Sequence, residues 1–146
     1  MGQRRALIGL DYSMAVRAVS VWLVMLIVAS ANGALRQAVL IPLIGEVGGR
    51  AISTLVLAAL LALLTWLTIG WIAPRSGADA WLIGAMWVAL TLAFEFLAGH
   101  YLFGTPWSGL VEDYNVLRGR IWILVLLVTA IAPRLCAQAR GLLANQ

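Results

Sequence analysis

The sequence predicts an all-α, polytopic membrane protein, a four-transmembrane-helix bundle with both termini on the cytoplasmic side. Three observations carry this. Of 146 residues, 63% are hydrophobic and 11% are charged, whereas soluble domains run nearer about 45–50% and about 25%. Mean hydropathy is +0.97. The apolar residues gather into four long runs, with most charges between them. The length suits a single membrane domain, 1–146. Such figures exclude a disordered chain, a solvated coiled coil and an ordinary soluble enzyme.

A helix crosses the hydrocarbon core with about 20 apolar residues at about 1.5 Å each. The first span is expected at 15–35, with Arg17 reaching back to the headgroups. Arg4 and Arg5 imitate the start of a signal peptide. The uncharged run 18–35 lies too far along the chain for that, so an uncleaved helix is expected. The second span, 51–73, has no charged residue, and the third, 80–103, is interrupted by Glu95 and His100. The fourth is expected at 121–139. Its uncharged run ends at Pro133, so it crosses fully only if Arg134 also snorkels.

The second and third spans are separated by a few residues, which makes them an antiparallel hairpin. Two longer connections, 36–50 and 104–120, are expected on the outer side. The first contains an apolar stretch, 38–44. Three readings fit it: a continuation of the first helix, a segment lying in the interface, or a short re-entrant loop.

All ten basic residues are arginine. With the termini inside, Arg4, Arg5, Arg17, Arg75, Arg134 and Arg140 are cytoplasmic, and Arg36, Arg50, Arg118 and Arg120 are external. That bias sets the orientation. Single arginines at helix ends read as topogenic charge on a lipid bilayer, so no nucleic-acid partner is expected. Trp71 and Trp81 mark one interface; Tyr101, Trp107 and Trp122 mark the other. Trp22, Trp66 and Trp87 are expected to pack inside.

Glu95 is the acid that topology does not explain. A charge at that depth costs about 2.5–3.5 kcal/mol on insertion scales, so it must be protonated, paired or wet. Arg36, Arg118 and Arg120 are its candidate partners from the outer side. His100 follows by five positions and does not share its helix face cleanly. The segment 104–120 adds Asp113, Tyr114 and Asn115, either as a turn or as the polar wall of an outer-facing pocket. The candidate ligand-binding or buried polar cluster is therefore Glu95, Arg36, Arg120, Arg118, His100, Asp113 and Tyr114. No nucleophile elbow, phosphate loop or Glu-x-x-His metal motif occurs. No catalytic residue, metal site or cofactor is assigned, and the lone Cys136 reads as an inert helix residue.

The pattern Asn32-Gly33-x-x-Arg36, Pro42-Leu43-x-Gly45-Glu46 and Arg50 resembles a family of uncharacterised bacterial four-helix inner-membrane proteins. Leu90-Thr91-x-x-Phe94-Glu95, Gly99, Gly104-x-x-Trp107, Asp113-Tyr114, Gly119 and Ala132-Pro133 continue the likeness over residues 19–135. The resemblance implies a multi-pass protein of the bacterial inner membrane and supplies no reaction. Relatives carry His at the position of Asn32 and Arg at that of His100.

Three functions remain open at this point. The leading one is a non-enzymatic protein whose outer-half polar cluster binds or passes a small ion or polar ligand. Gly70, Gly84 and Gly99, with Ala58, Ala59 and Ala62, would allow close helix contact. Four short helices enclose little volume, so a homo-oligomer is expected to help form any cavity. The others are an accessory or scaffold subunit of a larger membrane complex, and an intramembrane enzyme acting on lipid or quinone. The orientation is checked by C-terminal reporter fusions. A reporter active only in the cytoplasm is expected to work, and one active only in the periplasm to stay silent.

Overall fold

A computed structural model describes residues 10–112, 114–115 and 121–143. Its elements are α1 (Tyr12–Leu35), one π-helical turn (Arg36–Leu40), α2 (Ile41–Ile72), α3 (Gly77–Tyr101), α4 (Trp107–Glu112) and α5 (Ile123–Ala139). The described residues contain no strand. Two helical stretches, Tyr12–Ile72 and Gly77–Tyr101, are long and apolar enough to cross a membrane, and Ile123–Ala139 is a shorter apolar helix.

The first stretch is a hairpin. Its helical bonding runs from α1 through the π-turn into α2, and the chain breaks helical conformation at Gly45, with φ 82° and ψ 169°. That region is essentially reserved for glycine. The chain then turns back. Gly49 packs on Ile41, where an added Cβ would sit 3.0 Å from the Ile41 backbone nitrogen. Asn32 Nδ2 donates to Ser53 Oγ at 2.7 Å and to Ser53 O at 3.3 Å, tying the two arms together. Of the three readings of the apolar stretch 38–44, the structure has the first, a continuation of the first helix. The connection over 36–50 is helical apart from Gly45, because residues 38–44 extend the first helix and Glu46–Arg50 starts the next arm with a favourable i, i+4 pair.

The α2–α3 corner is encoded locally. Ala73 takes a left-handed conformation (φ 58°) and its N–H donates to Ile69 O, after which Pro74 cannot continue the helix. Ser76 and Asp79 then form a reciprocal capping box: Ser76 Oγ accepts from Asp79 N at 3.1 Å, and Asp79 Oδ2 accepts from Ser76 N at 3.1 Å.

α5 packs most extensively against α2 and α3, whereas α1 meets α2 and touches α3 more sparingly. Gly84 sets the α3–α5 approach; an added Cβ there would lie 2.1 Å from Ala130 O. The fully buried core lies toward one end, with Ala18, Ile69, Ile72, Ile83 and Trp87 at its centre. Trp87 Nε1 donates to Ala18 O at 2.8 Å, satisfying the one polar atom of that indole. This end also carries Asp11, Arg75 and Arg140, and is called proximal below. Here Arg17 donates to Trp71 O at 3.0 Å and Arg140 to Trp66 O at 2.8 Å, so both bond carbonyls in the last turns of α2. Each guanidinium also lies over the indole, at 5.7 and 5.8 Å. Trp66 is accordingly not an interior packing residue; it is 43% exposed beneath Arg140. Arg134 lies against Gly77 at the start of α3, and α5 continues past Pro133.

The opposite, distal half is looser. α1 has no buried residue after Met25, and α3 has none between Trp87 and Ala98. Outward faces remain apolar throughout, with Ile27, Leu43, Leu63, Leu97 and Leu135 all exposed.

Two glycines carry distinct costs. Gly84→Ala is expected to destabilise by about 1–3 kcal/mol through overpacking, and Gly45→Ala by about 1–3 kcal/mol through backbone strain. Gly33→Ala, with no atom within 4 Å, should be neutral or slightly stabilising. Denaturant titration in mixed micelles measures all three.

Candidate functional site

The distal half holds a cavity of about 270 Å³. Its polar wall comes from four places in the chain. Arg36 opens the π-turn, Arg50 and Thr54 lie on the returning arm of α2, Glu95 lies on α3, and Tyr114 follows α4. Single π-turns within α-helices recur at functional sites because they change the direction of side chains relative to the α-helical register. The Arg36 Nε is buried. Arg50 reaches the cavity while its Nε and Nη2 each donate to Glu46 Oε1 at 3.1 Å. Glu46, near the break at Gly45, is 64% exposed and Arg50 33%. The pair therefore anchors the guanidinium at the rim, where screening keeps its energetic value small. Thr54 Oγ1 donates to Arg50 O at 2.8 Å.

Tyr114 Oη donates to Glu95 Oε2. The bond fixes the direction of one carboxylate oxygen. The phenol is in turn held by aromatic packing. The Phe96 ring stacks between Tyr114 at 6.0 Å and Trp107 at 6.5 Å. Leu110 of α4 closes onto Gly99, where an added Cβ would come within 2.6 Å of its methyl. The short α4 is thus a wall of the cavity seated on the end of α3.

The remaining lining is apolar: Phe94, Phe103, Ile121 and Trp122 are its largest members. A second cavity, of about 180 Å³, lies deeper between α1, α3 and α5. It shares Phe94, Glu95 and Trp122 with the first. Its other walls include Met25, Leu26, Ala29, Leu61 and Val125, with Trp22 Nε1 donating to Thr91 Oγ1 at 3.0 Å across its edge. Thr129 Oγ1 is turned back to Val125 O at 2.7 Å. Glu95 therefore stands at the junction of a polar chamber and an apolar one.

The structure brings Glu95, Arg36 and Tyr114 together around one cavity. His100 is not among the lining residues. Its ring stacks on Trp107 at 3.9 Å, and its Nδ1 is 3.0 Å from Thr105 O, so it braces the turn leading into α4. Asp113, Arg118 and Arg120 lie outside the described residues. Arg50, Thr54 and Trp122 line the cavity without having been expected there. Arg50 carried a sequence signal, the Glu46-x-x-x-Arg50 spacing of a helical pair, but it was counted as topogenic charge in a loop. Among the described residues, no three His, Cys, Asp or Glu side chains converge to hold a metal ion.

Compared with protein-family models, curated proteins and solved structures, the chain matches none. The functional reading accordingly rests on the geometry of the site.

The Tyr114–Glu95 contact is open to a double-mutant cycle. Tyr114→Phe should destabilise by about 1.5–3 kcal/mol, as for hydrogen bonds to charged groups. The same change made on Glu95→Gln should cost less by about 1 kcal/mol or more. Equal costs on both backgrounds would show that the bond contributes nothing.

Proposed function

We propose that this chain is a non-enzymatic, four-span protein of the bacterial inner membrane, with cytoplasmic termini, whose distal cavity binds a small charged or polar ligand from the outer half of the bilayer. One observation carries the reading: Arg36, Arg50 and Glu95, charged residue types that are costly to hold at membrane depth, line one cavity of about 270 Å³ inside a single chain. A closed ion pair used only as packing would leave no such space beside it.

The apolar exterior supports a lipid surrounding. Large aliphatic side chains are exposed on every long helix, and a soluble monomer rarely presents that much apolar surface. The reading of four crossings is supported by the two arms of the Tyr12–Ile72 hairpin, by Gly77–Tyr101 and by the shorter apolar helix Ile123–Ala139. The arginine bias places the proximal end in the cytoplasm.

Binding is favoured over passage. Below the second cavity the proximal core is tightly packed around Trp87, Ile83 and Ala18, which gives an ion no evident polar route onward. The cavity is lined by one chain but partly open, and a second copy covering it would complete the homo-oligomer expected from the sequence.

The test is thermal stabilisation of the purified protein in a non-ionic detergent by inorganic phosphate, acetate and glutamate. At least one is expected to raise Tm saturably in the wild type. Arg36→Gln should weaken the apparent affinity about tenfold, the scale of one charge-assisted hydrogen bond, whereas Glu95→Gln, which removes a like charge, should leave phosphate and acetate affinity unchanged or raised. No saturable shift with any probe, together with no flux of these ions in proteoliposomes, would remove the reading.

A further inference from the structure

We propose that the two cavities form one site for an anionic amphiphile. Its charged head would sit against Arg36 and Arg50 and its hydrocarbon chain would run past Glu95 into the deeper, apolar cavity. This rests on the membrane-spanning, ligand-binding reading above and names the chemical class of the ligand.

Three observations converge on that class. The cavities share Phe94, Glu95 and Trp122 as lining, so they lie side by side, and a ligand longer than a single ion would occupy both by passing between these side chains. Their chemistry is divided: guanidinium groups line the distal chamber, and aliphatic and aromatic groups dominate the deeper one. A small hydrophilic anion would use only the first and leave the second unexplained. An uncharged hydrocarbon would use only the second.

The third observation concerns access. Ser30 of α1 and Phe94 of α3 both line the deeper cavity, and both are solvent-accessible. Over this part of the fold neither helix has a buried residue, beyond Met25 on α1 and between Trp87 and Ala98 on α3. The seam between them is therefore loosely packed, and in this proposal it is the side by which the chain enters. A chain already dissolved in the bilayer slides through this seam without entering water, while its head stays at the level of Arg36. Arginine suits that head because its planar donors can engage a carboxylate or a phosphate at two points.

The shared chemistry is an acyl or alkyl chain ending in an oxyanion; laurate and dodecyl phosphate represent the two heads. The experiment measures thermal stabilisation of the full chain in phosphatidylcholine nanodiscs. Probes are the alkyl phosphates from butyl to dodecyl, laurate, inorganic phosphate and neutral dodecanol. Saturable stabilisation is expected from dodecyl phosphate, laurate or both, and the better of the two identifies the head. Referred to the free aqueous concentration of each probe, affinity should rise about threefold to fourfold per added methylene until the deeper cavity is full. Ala29→Phe, which fills that cavity, should flatten the chain-length series while leaving butyl phosphate binding in place. Arg36→Gln should weaken dodecyl phosphate about tenfold and leave dodecanol unchanged.

If inorganic phosphate binds as tightly as dodecyl phosphate, the amphiphile proposal is overturned and the small-ligand reading stands. Dodecanol equal to dodecyl phosphate would overturn it as well, since the head would then go unread. Saturable binding by none of these probes would overturn both.

Discussion

The approach of α3 to α5 at Gly84 is the constraint from which the rest of the bundle follows. With no side chain on Gly84, the α3 backbone can lie against Ala130 O. α5 then settles between α2 and α3. Once α5 has taken that place, α1 can pack fully only on α2 and along the proximal part of α3. The distal separation of α1 from α3 is the geometric remainder of this arrangement. Side chains fill the proximal gap, with Trp87 as the largest, and leave the distal one unfilled. Tight packing in one half and open space in the other are two results of one close contact.

The distal half holds its polar groups by several weak supports. Tyr114 orients Glu95, Phe96 and Trp107 hold the phenol, and Leu110 seats α4 on Gly99. Glu46 steadies Arg50 from the rim. The site is thus preorganised by short local contacts and not by the tight core at the other end. Its walls can shift by small amounts without disturbing Trp87 or the α3–α5 seam.

The helical, apolar character of the chain was legible in composition and in the length of its uncharged runs. The importance of Glu95 was legible for the same reason: an acid within an apolar run has no cheap explanation. Other features were written locally and could have been read more closely. Ser76-Gly-Ala-Asp79 spells a capping box and puts the start of α3 three residues earlier than hydropathy does. Glu46-x-x-x-Arg50 marks helix where Gly45, Gly48 and Gly49 suggested a loop. The cavity itself was not legible. It depends on where α1 and α3 part, and that is fixed by Gly84 and Ala130, which are far apart in sequence. Nor was the exposure of Trp66, since hydropathy assigns a depth to an indole but no face.

The ten arginines, with no lysine among them, gain a structural meaning at the proximal end. Arg17 and Arg140 each do three things at once: they carry charge near a helix end, cover an indole and bond a carbonyl in the last turns of α2. A compact ammonium at the tip of a flexible stem cannot lie flat on a ring while directing a second donor to a carbonyl; a planar guanidinium can. Topology and assembly are written in the same side chains, and an exchange of arginine for lysine would preserve the first while loosening the second.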